Sequence, residues 1–140
     1  MKEISRVQSV YRKPEDLIPC EFNSKNHNRE DIDFIKGGID KFGFVDPVLL
    51  NGDKGILAGH GSTLAAIELK LKKIPTVDLS HLTKEEQSAF IMTHNRASEV
   101  GVSWNMNFVS MELEALSDKG FDISVTGFDL SFDRDVADSM

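Results

Sequence analysis

Residues 48–71 run from strand to turn to strand to glycine corner to helix with nothing left over for a linker, and this run does most to limit the fold. Val48-Leu49-Leu50 and Ile56-Leu57-Ala58 are short apolar stretches on either side of Asn51-Gly52-Asp53-Lys54-Gly55. An Asn-Gly pair between two such stretches is the strongest short-range signal for a β-hairpin. Gly59-His60-Gly61-Ser62-Thr63 follows at once, and then Leu64, Ile67 and Leu71 recur at spacings of three and four around Ala65 and Ala66. That periodicity, with two strong helix formers inside it, predicts a helix over 62–71.

The flanking segments fit the same mixed pattern. Leu17-Ile18-Pro19 predicts a short extended segment within 15–21, since Pro19 turns its predecessor away from helix. Asn28 is a suitable N-cap, Asp31 complements the helix start, and Ile32, Ile35, Ile39 and Phe42 carry helical spacing up to a stop at Gly43. Gly37-Gly38 inside that helix costs about 1 kcal/mol per glycine relative to alanine. The pair therefore reads as a place of close backbone packing or as a weakness. Residues 74–79 predict a strand, and Thr83-Lys84-Glu85-Glu86 a capping box that opens a helix towards Arg96. A last helix is expected from Ser103 or Trp104 to Lys119, with Trp104, Phe108, Met111 and Ala115 on one face, the first three read as core packing, and Gly120 as its stop. The fold class is α+β: a small mixed sheet flanked by helices, with additional C-terminal helices.

A length of 140 residues suits one domain with its own core. We expect that domain over 1–130, its core over about 14–100, a helical extension over about 103–120 and an acidic tail over 131–140. No apolar run approaches the length of a membrane span, and the single cysteine, Cys20, cannot form an internal disulfide, so the cytoplasm is the expected location. The net charge of -7 is uneven: residues 1–77 hold 12 Lys/Arg against 11 Asp/Glu, and residues 78–140 hold 4 against 12. Duplex binding depends on neutralising phosphates, so direct duplex DNA binding by this chain is expected to be weak, and any polyanion contact belongs to the N-terminal half.

The chemistry concentrates at Gly59–Thr63. A helix N-terminus exposes N–H groups and about half a positive charge, glycines allow a ligand close to the backbone, and Ser62 and Thr63 add hydroxyls. The same residues also suit a plain strand-to-helix corner in which Ser62 is only a cap. His60 is a candidate proton acceptor, phosphate contact or metal ligand, and equally suits a histidine that hydrogen-bonds backbone and shapes the turn; Asp46 is a second acid–base candidate. His27, His60, His81 and His94 lack zinc-site spacing, so no zinc and no protein-held metal is expected.

Taken together, Leu17-Ile18-Pro19, Asn23-Ser24-Lys25-Asn26-His27, Phe42-Gly43-Phe44, Asp46-Pro47-Val48, Ile56-Leu57-Ala58-Gly59-His60-Gly61, Leu64-Ala65-Ala66, Ile74-Pro75-Thr76-Val77 and Thr126-Gly127-Phe128-Asp129 stand in a telling order. Over roughly residues 14–130 that order resembles the ParB/sulfiredoxin superfamily, specifically the ParB-like N-terminal, nuclease-like domain of phages, mobile elements and DNA-methyltransferase neighbourhoods. Relatives in the superfamily include CTP-dependent DNA-segregation clamps, ATP-using sulfinic-acid reductases, free-serine kinases and proposed nucleases.

The resemblance implies a nucleotide whose phosphates meet the turn after Ile56–Ala58, held by Lys25, His27, Gly59, His60, Gly61, Ser62, Thr63 and Asn95. Mg²⁺ would arrive with a nucleoside triphosphate. The function so implied is a nucleotide- or phosphate-binding module of phage or mobile-element DNA metabolism, acting with a protein partner in DNA modification or segregation. Two alternatives stand beside it: an enzyme using the same turn, either nuclease or phosphotransferase/NTPase, with His60 and Asp46 as its acid–base groups, and a degenerate interaction protein without catalysis that works through the acidic C-terminal half. Sulfiredoxin activity is excluded, because its nucleophilic cysteine would occupy the place of His60. The segregation clamps carry arginines where Gly61 and Ser62 stand, and the phage-type pattern keeps one at Ser62. A hydroxyl there replaces a charge-assisted hydrogen bond with a weaker neutral one.

Overall fold

In a computed structural model of the chain, residues 7–19, 28–97 and 103–128 are described, and the chain divides into two compact units, one ending at Ala97 and one starting at Ser98. The first unit holds β1 (Ser9–Arg12), α1 (Arg29–Phe42), β2 (Val48–Leu50), β3 (Ile56–Ala58), α2 (His60–Glu68), β4 (Ile74–Asp78) and α3 (Lys84–Ala97). The second holds α4 (Met106–Asp118) and a 3-10 turn over Ile123–Thr126. The architecture is α+β, a four-stranded mixed sheet with flanking helices, as the sequence implies.

The strands lie in the order β1-β4-β2-β3. β2 and β3 form the expected antiparallel hairpin, Leu50 opposite Ile56, with an irregularity between Leu49 and Leu50. Its loop is closed by Asn51, whose side-chain Oδ1 accepts from the N–H groups of Asp53 (2.8 Å) and Gly55 (3.1 Å). β4 runs parallel to β2, Val48 opposite Thr76, and a parallel pair needs a crossover, which α2 supplies. On its other side β4 pairs antiparallel with β1, Arg12 opposite Ile74. Leu17, Val48, Leu50, Ile56, Ala66 and Ile74 form the core of this unit, with Phe44 and Leu71 packed against it.

The helix starts are built by local side chains. Asn28 Oδ1 accepts from Asp31 N–H at 2.8 Å. The Thr83 capping box closes in both directions: Thr83 N–H donates to Glu86 Oε1 (3.0 Å) and Glu86 N–H to Thr83 Oγ1 (3.2 Å). Gly43 ends α1 with φ 86°, its N–H bonded to Ile39 O. A Cβ on Gly37 or Gly38 would meet nothing within 4 Å, so the close-packing reading of that pair fails and conformational weakness remains.

Three expectations need correction. The first ordered element is β1, ahead of the segment 15–21; Pro14–Asp16 is a 3-10 turn, and only Ile18 is extended enough to bridge, with Gly55. β1 escapes a reading by periodicity because Ser9, Val10 and Tyr11 are all exposed and its partner lies some 65 positions away along the chain, with Ser9 opposite Val77. The helix placed at 62–71 spans His60–Glu68, because Gly59 in the left-handed region, not Ser62, caps it. Trp104, Phe108 and Met111 are not core: Trp104 precedes α4, and their exposures are 63%, 59% and 69%. The buried residues of α4 are Met106 and Leu113.

Candidate anion-binding site

β3 delivers the chain into α2 through Gly59, whose φ of 106° and ψ of 25° lie in the left-handed region. Glycine is required twice over, since a Cβ there would also stand 3.1 Å from Val48 Cγ2 and 3.3 Å from Val48 Cα. The hydrogen-bond ladder of α2 begins with Thr63 N–H donating to Gly59 O at 2.9 Å. The N–H groups of His60, Gly61 and Ser62 therefore precede the ladder, at the positive end of the helix dipole.

The first turn divides its side chains between two roles. Thr63 is 4% exposed and its Oγ1 donates to Gly59 O at 2.8 Å, which fastens the turn to the backbone. Gly61 is buried beneath it. Ser62, half-buried, lines a hollow of about 240 Å³. The opposite wall is the apolar face of α1, Ile35, Ile39 and Phe42 together with the bare backbone of Gly38, and the segment Gly43–Asp46 closes the rim. Asp46, itself exposed, is the one carboxylate of that lining.

An ion-pair clasp holds α1 beside α2. Arg29 Nη2 bonds Asp33 Oδ1 at 2.8 Å within α1 and Glu68 Oε1 at 2.8 Å on α2, and Lys36 Nζ approaches the same Glu68 oxygen at 3.4 Å. The hydrogen bond from Arg29 holds Glu68 below the usual glutamate value of 4.5, and those from Glu68 and Asp33 raise Arg29. The clasp lies at the C-terminal end of α2, so it fixes the distance between the helices without filling the hollow near Ser62.

The expected site residues are thus partly gathered. Ser62 and Asp46 share the hollow. Gly59, His60, Gly61 and Thr63 share the first turn of α2 and its approach, outside the lining of the hollow. Asn95 stands half-buried on α3, also outside it. Lys25 and His27 lie outside the described residues. Sequence reading missed the α1 wall, since the helical spacing of Ile35, Ile39 and Phe42 does not show that their face borders a hollow; the signal was the adjacent glycine pair, which lowers one side of that face. Among the described residues, no group of three or more His, Cys, Asp or Glu is placed to hold a metal ion, and no helix is long and apolar enough to cross a membrane.

Known proteins bear on this geometry. No family model matches the chain. The ParB-like nuclease domain-containing protein YnaK of Escherichia coli K12 is 35% identical over 82 residues, which make up 59% of this chain and 94% of YnaK. Among solved structures, the C-terminally truncated chromosome-partitioning protein ParB of Caulobacter crescentus, complexed with CTP-γ-S, matches with a TM-score of 0.68 at 18% identity. A Pnob8-like ParB-N domain matches with a TM-score of 0.54 at 13% identity. These two matches cover 80% and 86% of this chain but only 64% and 51% of the solved chains, so the chain spans about half to two thirds of their length. The overall fold is thus shared with solved ParB structures, and the identity with YnaK extends over nearly all of that protein: this chain belongs to the ParB-like nuclease domain family.

Proposed function

We propose that this chain is a nucleotide- or phosphate-binding ParB-like module, the anionic end of the ligand meeting the first turn of α2 and its less polar end resting against α1. One observation carries the reading: Ser62 belongs both to that first turn and to the wall of the hollow. Helix N-termini attract anions through their N–H groups and dipole. Ile35, Ile39 and Phe42 offer an apolar surface to a base or similar flat group. The hollow, at about 240 Å³, is smaller than the usual range for ligand pockets, about 300–1,000 Å³, and Ser62 offers no charge, so affinity should be low.

Lys25 and His27 are proposed as further phosphate contacts on the strength of the family pattern, with His60, Thr63 and Asn95 as supporting groups. Mg²⁺ would accompany the phosphates, and Asp46 is the carboxylate at the hollow that would face it. CTP is the first nucleotide to test, because the Caulobacter relative was solved with CTP-γ-S. We further place the module in cytoplasmic DNA metabolism of a phage or mobile element, working through a protein partner.

Calorimetry with CTP, ATP and GTP, with and without Mg²⁺, tests the proposal. Weak Mg²⁺-dependent binding of at least one is expected, and it should vanish in Gly38→Leu, whose side chain enters the hollow from a backbone position with open space around it. Silence of all three at millimolar concentration would overturn it. A second reading, a nuclease or phosphotransferase, is favoured by Asp46 lining the same hollow as Ser62. Under that reading Asp46→Asn abolishes plasmid nicking or nucleotide turnover.

A further inference from the structure

The opposite end of α2 carries a second hollow, of about 440 Å³, unrelated to the first turn. Lys13, Lys70, Lys72 and Lys73 line it, together with aliphatic Ile67 and Leu71 and a single carboxylate, Glu15. All four lysines are exposed, and none is ion-paired with a described residue. Four positive charges against one negative converge here in a chain whose net charge is -7.

Lys70 adds a second observation. α2 ends in a Schellman motif: Lys70 N–H donates to Ile67 O and Leu71 N–H to Ala66 O, each at 3.0 Å. The C′ position of that motif requires left-handed backbone, and Lys70 has φ 59°. α4 ends in the same motif, Gly120 N–H bonded to Ser117 O and Phe121 N–H to Leu116 O, and there the C′ residue is glycine with φ 81°. Glycine adopts this conformation without strain and lysine does not. Among the described residues the other non-glycine residue in this region is Lys54 of the β2–β3 loop, φ 65°, and Lys70 is the one that stands at a helix end where α4 uses glycine, its side chain on the hollow.

We infer that this hollow is a docking surface for an acidic segment of a partner protein that carries an aliphatic side chain, its carboxylates facing Lys13, Lys70, Lys72 and Lys73 and its aliphatic group lying on Ile67 and Leu71. Charge complementarity sets the sign of the partner. The lining sets its class: single-stranded nucleic acid is held by aromatic stacking, and the hollow has no aromatic side chain. Lysine stems lying along an aliphatic surface suit a peptide with alternating acidic and leucine residues.

The test is fluorescence anisotropy of the full chain with a labelled synthetic peptide of alternating Glu and Leu, at low and at physiological salt. Binding that weakens with salt is expected. Lys70→Gly, which relieves backbone strain and so keeps the fold, should weaken it by about threefold, and Lys72→Ala with Lys73→Ala by about tenfold. Four results would overturn the inference: no binding at millimolar peptide, affinities unchanged in both variants, equal binding of a peptide with every Leu replaced by Ser, or tighter binding of a single-stranded oligonucleotide of equal charge.

Discussion

Gly59 approaches Val48 so closely that no side chain fits between them, a Cβ standing 3.1 Å from Val48 Cγ2 and 3.3 Å from its Cα. Val48 is wholly buried in the middle of the core, so it cannot retreat. Gly59→Ala combines that clash with a left-handed backbone, and it should cost about 2–3 kcal/mol in urea unfolding. Loss of less than about 1 kcal/mol would show that the β3-to-α2 corner relaxes easily.

Ser62 gives the proposed ligand a hydroxyl where the phage-type pattern keeps an arginine. Ser62→Arg should therefore tighten binding of a nucleoside triphosphate by about tenfold, the worth of one hydrogen bond to a charged group. Calorimetry on the two proteins under identical salt checks it, and an unchanged affinity would remove phosphate from the first turn of α2.

Gly37 is exposed within α1 and a Cβ there meets nothing within 4 Å. Gly37→Ala should raise stability by about 0.5–1 kcal/mol through helix propensity and a less free unfolded chain. Gly38, its neighbour, has the same open space but lines the hollow, so alanine there tests ligand access along with stability.

Glu68 titrates below 4.5 because it accepts from Arg29. A carboxyl depressed by folding contributes stability above its unfolded value, and that contribution disappears as pH falls through the depressed one. Glu68→Gln should thus be less stable than the parent at neutral pH, with the gap closing below about pH 4.5. Urea unfolding at neutral and acid pH checks this, and a gap that persists in acid would show that the Arg29–Glu68 contact acts through something other than charge.

Where structure is decided by neighbours in the chain, it was legible. The Asn51 loop, the Asn28 cap, the Thr83–Glu86 box and the Gly43 and Gly120 stops are each closed by residues a few positions apart. β1 was not legible, since nothing in Ser9–Arg12 marks it apart from pairing with β4. Nor was the start of α2: serine is the commoner cap, and only contact with Val48 reveals that the corner belongs to Gly59. The turn was readable as a ligand site, but the hollow was not, because α1, the 43–46 segment and α2 each contribute one wall.

The strand order β1-β4-β2-β3 has a consequence for biosynthesis. The ribosome makes β1 first, yet its partner β4 ends at Asp78, and that stretch must also clear the exit tunnel. Until then the hairpin of β2 and β3 can close early, while the N-terminal strand waits with an unpaired edge. A chaperone that shields residues 9–12 during translation would act in that interval.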